Sequence, residues 1–438
     1  MDITTPLAEG PVWPLWRKIL FRFAFIYLVL YTTPWTFISS IPGMGFVAEY
    51  YNIAWDWIVR LANTHLFHVA RELVPMAGSG DTSFGWAQML FTLLVALVGC
   101  ITWSAVDRKR NNHEQLDYWL RLTVRYYLSY FCILYGVIKI FALQMPFPNI
   151  SQLVTPLGDF LPMRLSWMFV GYSTPYQVFS GCMEFLAGLL LINRRTVTLG
   201  LVMATGVFIH VVALNLAYDI PVKLFSMHLL AYCLYLSSYE LKRLLNFFVF
   251  NRVSEPDTSF AMEFKNKWLR YGRILGKAAF IVLAVIIPLY ENYNYYKTTQ
   301  VTEELKPIKP GMYDVDLFVL NNHDTIPALV TDSLRWNDLV FEGSGLGSVK
   351  SADPLFRQRY RRGYFNYKPD TVREVIEIRK FAYDSLPMMS MKYKIPDENT
   401  IQLWSKYKED SLYVRLRRSK RHFQLAERQF HWLSEANR

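Results

Sequence analysis

Seven polar side chains, Lys139, Glu184, His210, Asn215, Asp219, Lys223 and His228, lie inside or at the edges of long apolar runs. An ionisable group in a bilayer costs roughly 2.5–3.5 kcal/mol on insertion scales, so such positions are functional candidates by default. Lys139 and Glu184 are the natural pair, because a carboxylate and an ammonium that satisfy each other avoid the cost of burying either alone. The pair reads either as architecture or as the polar floor of a pocket with Asn215, Asp219 and Lys223 at its mouth. His210 and His228 each fall about 10 Å below the outer end of a span, at a rise of about 1.5 Å per residue. Two imidazoles at one depth could bracket a haem or a metal. The plainer reading is that each donates to a neighbouring carbonyl or hydroxyl in a helix bundle.

The elements that must position these groups are membrane helices. Of 438 residues, 52% are hydrophobic, 16% aromatic and 19% charged, whereas a soluble chain carries about 25% charge. Apolar runs near the roughly 20 residues a bilayer helix needs fall at 17–38, 84–104, 118–142, 174–193, 196–217, 222–241 and 274–293, predicting seven spans. Arg22 and Pro34 interrupt the first, and no small-residue cleavage site follows, so it reads as a retained helix rather than a signal peptide. Fourteen Lys and Arg flank the spans on one side, among them Arg17, Lys18, Arg194, Arg195 and Lys242, against four on the other: Arg60, Arg71, Arg164 and Lys223. The positive-inside rule then predicts a cytoplasmic N-terminus and an extracytoplasmic C-terminal domain. The net charge of +11 is absorbed by this asymmetry and implies no nucleic-acid partner.

Two outer connections are long. WDWIVRLANTHLFHVAREL (55–73) predicts a helix along the interface, with His65 and His68 as a weak metal candidate; MPFPNISQLVTPLGDFLPMRLSWMFVGYSTPY (145–176) predicts a segment that re-enters or caps the bundle. The four cysteines lie singly in apolar runs and form no CxxC, which points away from thiol-relay chemistry. From 311 the period changes to two, in MYDVDLFVL, LRWNDLVFEG, VREVIEIRKF, MMSMKYKI, TIQLWSKYK and SLYVRLRRS. Short strands at this spacing predict a compact antiparallel β-barrel or sandwich, with a small lipocalin-like barrel the expected form. GSGLGSVK (343–350) lacks the GK[ST] ending of a phosphate loop and reads as a hairpin turn, and RLRRSKRH (415–422) reads either as a solvated basic face or as one lying against anionic headgroups.

YYLSYFCILYGVIKIFALQMP (126–146) resembles the first helix of the DoxX family. PYQVFSGCMEFLAGLLLINRRTVTLGLVMATGVFIHVVALN (175–215) resembles that family's next unit, and YDIPVKLFS (218–226) and RQFHWLSEANR (428–438) resemble its long forms with a β-rich domain. The resemblance places the family's Gly-x-x-Lys on Gly136 and Lys139, its helix glutamate on Glu184 and its arginine on Arg194 or Arg195. It implies a bacterial inner-membrane protein, with members linked to quinone-coupled oxidation of small sulfur compounds and to redox protection. A remoter likeness is to the membrane part of vitamin-K-dependent carboxylases.

The expected architecture is a membrane all-α bundle of about seven helices followed by the barrel. The expected segments are an N-terminal two-span extension (1–115), a DoxX-like four-helix core (116–243), a cytoplasmic linker with the seventh span (244–310) and an extracytoplasmic β-rich domain (311–438). Two functions are open. One is a quinone-linked redox component in which Glu184, His210 and Lys139 are catalytic and Lys139, Asn215, Asp219, Lys223 and His228 bind the ligand. It would need a quinone or haem and a redox or envelope protein partner. The other is a non-enzymatic membrane module that binds a lipid or a partner protein and presents it through the barrel.

Overall fold

The computed structural model describes residues 12–33, 43–75, 80–254, 262, 266–300, 307–321, 324–326, 335–407, 410–428 and 432. The end of the first expected span (34–38) and most of the chain's last eleven residues lie outside the described residues. The apolar runs form helices α1 (Leu15–Thr32), α2 (Gly45–Ala62), α3 (Ser83–Val106), α4 (Glu114–Ile140), α5 (Ile150–Leu153), α6 (Pro162–Tyr172), α7 (Thr174–Ile192), α8 (Val197–Ala217), α9 (Lys223–Phe248), α10 (Lys267–Ile281) and α11 (Ile287–Gln300). A π-helical turn at Val282–Ile286 joins the last two.

Among the described residues, four helices are long and apolar enough to cross a membrane: Ser83–Val106, Thr174–Ile192, Val197–Ala217 and Lys267–Thr299. Helices also stand at the other three expected places, but α1, α4 and α9 are diluted by charges and tyrosines, such as Arg17, Lys18 and Arg22 in α1. Four of the seven expected spans are thus present as helices of membrane length and apolarity. The physical reason is position in the bundle: α4 is central, and its Leu120, Val124, Leu128 and Cys132 pack with α1, α7, α8 and α9 in one buried cluster. A helix covered by protein can carry polar groups that its neighbours satisfy.

The chain folds as two compact units, Met1–Gln144 with Pro175–Tyr293, and Met145–Thr174 with Asn294–Arg438. Residues 145–174 of the connection expected to re-enter or cap the bundle belong to the unit that contains the strands. The expected interfacial helix at 55–73 differs. It runs earlier, as α2, unwinds through a π-helical turn at Asn63–Phe67 and ends where His68 adopts φ 51°. Its exposed Phe46, Tyr50, Ile53, Trp57 and Leu61 form one apolar stripe, the pattern of a helix lying in an interface.

In the first unit, a buried Arg22 needs explanation. Its Nε donates to His113 Nε2 at 3.2 Å and its Nη2 to the Asp107 carbonyl at 2.7 Å, so α1 is tied to the α3–α4 turn by a charge buried within the protein.

The second unit is a closed antiparallel β-barrel. Its strands are β1 (Gly311–Leu320), β2 (Asp324–Thr325), β3 (Asp338–Phe341), β4 (Leu346–Val349), β5 (Arg357–Arg359), β6 (Arg362–Asp370), β7 (Val375–Arg379), β8 (Met389–Asp397), β9 (Thr400–Tyr407) and β10 (Asp410–Arg418). Eight of them run β1-β3-β4-β6-β7-β8-β9-β10 around the wall, and β10 closes on β1 from Tyr313↔Arg418 to Leu320↔Leu412. A bulge at Asp316 shifts the register, which is why Tyr313 and Val315 point inward before it and Phe318 and Leu320 after it.

Side chains fill the interior, as expected for eight strands: Phe341, Phe356, Phe365, Trp336 and Tyr313 are all essentially inaccessible. The fit is close enough that Gly347 has no room for a methyl group. A Cβ there would lie 2.4 Å from the Phe365 ring.

The segment at 145–174 is strapped to the barrel by a buried polar chain. Ser151 donates through N and Oγ to Glu342 Oε1 at 2.8 Å each, Ser348 Oγ donates to Ser151 Oγ at 2.9 Å, and Arg362 Nε donates to Ser348 Oγ at 3.1 Å. Arg362 is in turn paired with Asp338. The β5–β6 hairpin turns through Tyr360 and Arg361, both at φ 53°. Such a turn favours glycine and asparagine.

Two outcomes are expected. Arg361→Gly raises stability by about 1 kcal/mol, because a left-handed non-glycine residue costs roughly 1–2 kcal/mol and the Asp159 ion pair it loses is exposed; an unchanged or lower melting temperature would show the turn to be unstrained. Burial, reinforced by the Arg22 guanidinium, holds His113 down to about 4. The unfolded chain therefore binds the proton first, so stability is full above about 6.5 and declines as pH falls toward about 4. Melting curves across that window should show the decline, and His113→Gln should shrink it.

Candidate functional site

Helices α4 and α7 of the first unit meet at very close range, and glycine makes it possible. A Cβ on Gly136 would sit 2.6 Å from the Phe185 amide nitrogen, and one on Gly181 would sit 2.7 Å from the Gly136 carbonyl oxygen. Small residues at such positions let membrane helices meet backbone to backbone. Ser129 Oγ adds a bond to the Gly188 carbonyl at 2.7 Å. In this seam Lys139 Nζ donates to both oxygens of Glu184, each at 2.6 Å, with both residues buried. The pair expected from residue type alone is formed. Each partner satisfies the other, and the ammonium lies 5.8 Å from the Tyr135 ring centroid.

The two histidines are not brought together. His210 is exposed on the outer face of α8, while His228 is buried in α9. His228 Nδ1 lies 2.7 Å from the Leu224 carbonyl oxygen, which can only accept, so Nδ1 carries the proton and Nε2 accepts from Tyr27 OH at 2.7 Å. Tyr31 stacks on the same ring with centroids 3.6 Å apart. Both ring nitrogens are occupied, and the expected bracket for a haem or metal is replaced by the plainer arrangement. Equal depth along two helices says nothing about their rotation, and it is rotation that turns His210 outward. Among the described residues no group of three or more His, Cys, Asp or Glu could hold a metal ion.

The expected pocket mouth is a helix corner. Asn215 Nδ2 donates to Ser226 Oγ at 2.9 Å. Asp219, exposed and at φ 48°, accepts from Lys223 Nζ at 2.7 Å. The organiser is a residue that the sequence pattern does not single out: Asp81 accepts from the backbone amides of Lys223 and Leu224 at 2.8 and 2.9 Å. It thereby caps the N-terminus of α9 from another part of the chain, where a helix dipole favours a carboxylate. No local signal marks it, since the cap is 142 residues away. Tyr27 and Tyr31 escape sequence reasoning for the same reason, although their i, i+4 spacing on α1 could have marked a shared face. Arg194 and Arg195 are exposed at the α7–α8 turn.

No protein-family model matches the chain, and no solved structure matches it. The chain is similar to YwoB, an uncharacterized protein of Bacillus subtilis (strain 168), with 29% identity over 126 residues that cover 80% of that protein and 29% of this chain. Most of this chain therefore lies outside the match.

The seam yields a direct test. Glu184→Gln leaves Lys139 charged, buried and alone, and is expected to cost about 3–5 kcal/mol. Replacing both, as Lys139→Met with Glu184→Leu, should recover most of that loss in thermal melting of the full chain in detergent. A Glu184→Gln protein as stable as the parent would remove the structural role.

Proposed function

We propose that the chain is a non-enzymatic membrane module, a DoxX-like helical bundle that anchors the β-barrel and holds it for a lipid or protein partner. The observation that carries this reading is how the candidate polar groups are disposed. Lys139 and Glu184 neutralise each other, His228 is held at both nitrogens, Asn215 is bonded to Ser226, and His210 and Asp219 face outward. A catalytic set needs groups converging on one place where a reacting atom can sit; these are dispersed over separate contacts. The filled barrel interior favours a scaffold over a lipid-carrying barrel, which would need a hollow one. The proposed setting is the bacterial inner membrane, with the N-terminus cytoplasmic and the barrel outside, on the charge asymmetry of the connections.

A quinone-linked redox role is the second reading. It is favoured by one contact, the Tyr27 phenol bonded to the His228 imidazole beneath Tyr31, since a phenol beside an acceptor nitrogen can pass its proton as charge moves. An absorption spectrum of the detergent-purified protein, with mass spectrometry of its solvent extract, separates the two. The module reading expects phospholipid only. A stoichiometric quinone or a haem Soret band, lost in Tyr27→Phe, would overturn it.

A further inference from the structure

The helices of the first unit border a half-open cavity of about 980 Å³ where α4 begins, α7 turns into α8, and α10 starts. Its wall carries Arg121 and Arg125 from α4, Arg194 from the α7–α8 turn, and Arg273 and Lys277 from α10. Against these five cations, Glu240 is the only carboxylate among the described lining residues. Glu240 already accepts from Thr198 and Arg243, and Arg121 is bound to Asp117. The buried Nε of Arg125 has no hydrogen-bond partner. Among the described residues, Arg273 and Lys277 have no acidic partner.

Cations gathered around one space repel unless an anion lies between them. The guanidinium fork matches phosphate oxygens in particular. The rest of the cavity wall is mostly apolar. Leu122, Leu201 and Leu236 line it, and the Tyr126 and Phe280 rings, 4.7 Å apart, close α10 against α4. Trp119 and Trp268 also line it and are 44% and 72% exposed, as aromatic residues are at a membrane–water border. Cationic groups at such a border above an apolar wall suit an amphiphile better than a small soluble ion, and basic pockets between membrane helices are where anionic headgroups bind.

We propose that this cavity binds the phosphate of an anionic lipid headgroup, with Arg125, Arg273 and Lys277 on the phosphate and the chains along the leucines. The inference rests on the membrane reading but not on the choice between a module and a redox protein.

The test uses the full chain, purified and delipidated in detergent, with native mass spectrometry and thermal melting read against added phosphatidylglycerol, cardiolipin, phosphatidylcholine or inorganic pyrophosphate. The two anionic lipids should bind and raise the melting temperature, with phosphatidylcholine far behind. Arg273→Gln with Lys277→Gln, on an exposed helix face, should weaken anionic-lipid binding roughly thirtyfold, and Arg273→Lys with Lys277→Arg should restore most of it. Equal binding of phosphatidylcholine, or an unchanged Gln double variant, overturns the proposal. Protection by pyrophosphate equal to that by the lipids overturns the lipid assignment in favour of a soluble phosphate compound.

Discussion

Hydrocarbon offers no hydrogen bonds, so every polar group carried into the bundle must find its partner inside the protein. The Lys139–Glu184 contact is where this constraint is sharpest. Two opposite charges share one seam between α4 and α7, and they can meet only because Gly136 and Gly181 bring the backbones together. Close approach and charge pairing depend on each other. A larger residue at either glycine would separate the helices and strand both ions, and without the ions the seam would be an ordinary small-residue contact. The same logic recurs at His228 between Tyr27 and Leu224, at Arg22 between His113 and Asp107, and at Asp81 on the start of α9.

The barrel answers a different constraint, that of filling a closed cylinder whose radius is set by eight strands. Alternating Ile, Leu, Val and aromatic side chains fill it, and Gly347 and Gly363 provide relief where Phe365 and Phe356 press against the wall. A buried chain of bonds from Ser151 to Arg362 fastens the 145–174 segment to it by backbone and hydroxyl groups. A barrel built this way presents its surface rather than a lumen.

Charge in the bundle is thus handled in two ways. In the α4–α7 seam and at the α8–α9 corner it is cancelled by internal partners. Around the cavity at the start of α4 it is left in excess: among the described lining residues five cations, of which Arg121 is paired with Asp117, face one carboxylate that is already bonded. The first arrangement holds helices together, and the second leaves binding capacity toward something outside the chain.

The sequence by itself determined whatever depends on composition along the chain. Apolar runs of membrane length became helices at the expected places, six period-two stretches became strands, and the first half of GSGLGSVK became a hairpin turn rather than a phosphate loop. It also paired Lys139 with Glu184 from charge and burial cost alone. It did not reveal β4 and β6, since Leu346–Val349 carries a glycine and reads as part of the turn, and Arg362–Asp370 carries glycine and proline that mimic loop signals. Only the tertiary structure decided that His210 faces outward while His228 faces Tyr27, that α4 is central and so tolerates its tyrosines and charges, and that Asp81 caps α9. Periodicity along a chain reports which residues share a face of one helix. Which neighbour that face meets is set by the rotation and packing of helices far apart in sequence, and no local pattern encodes it.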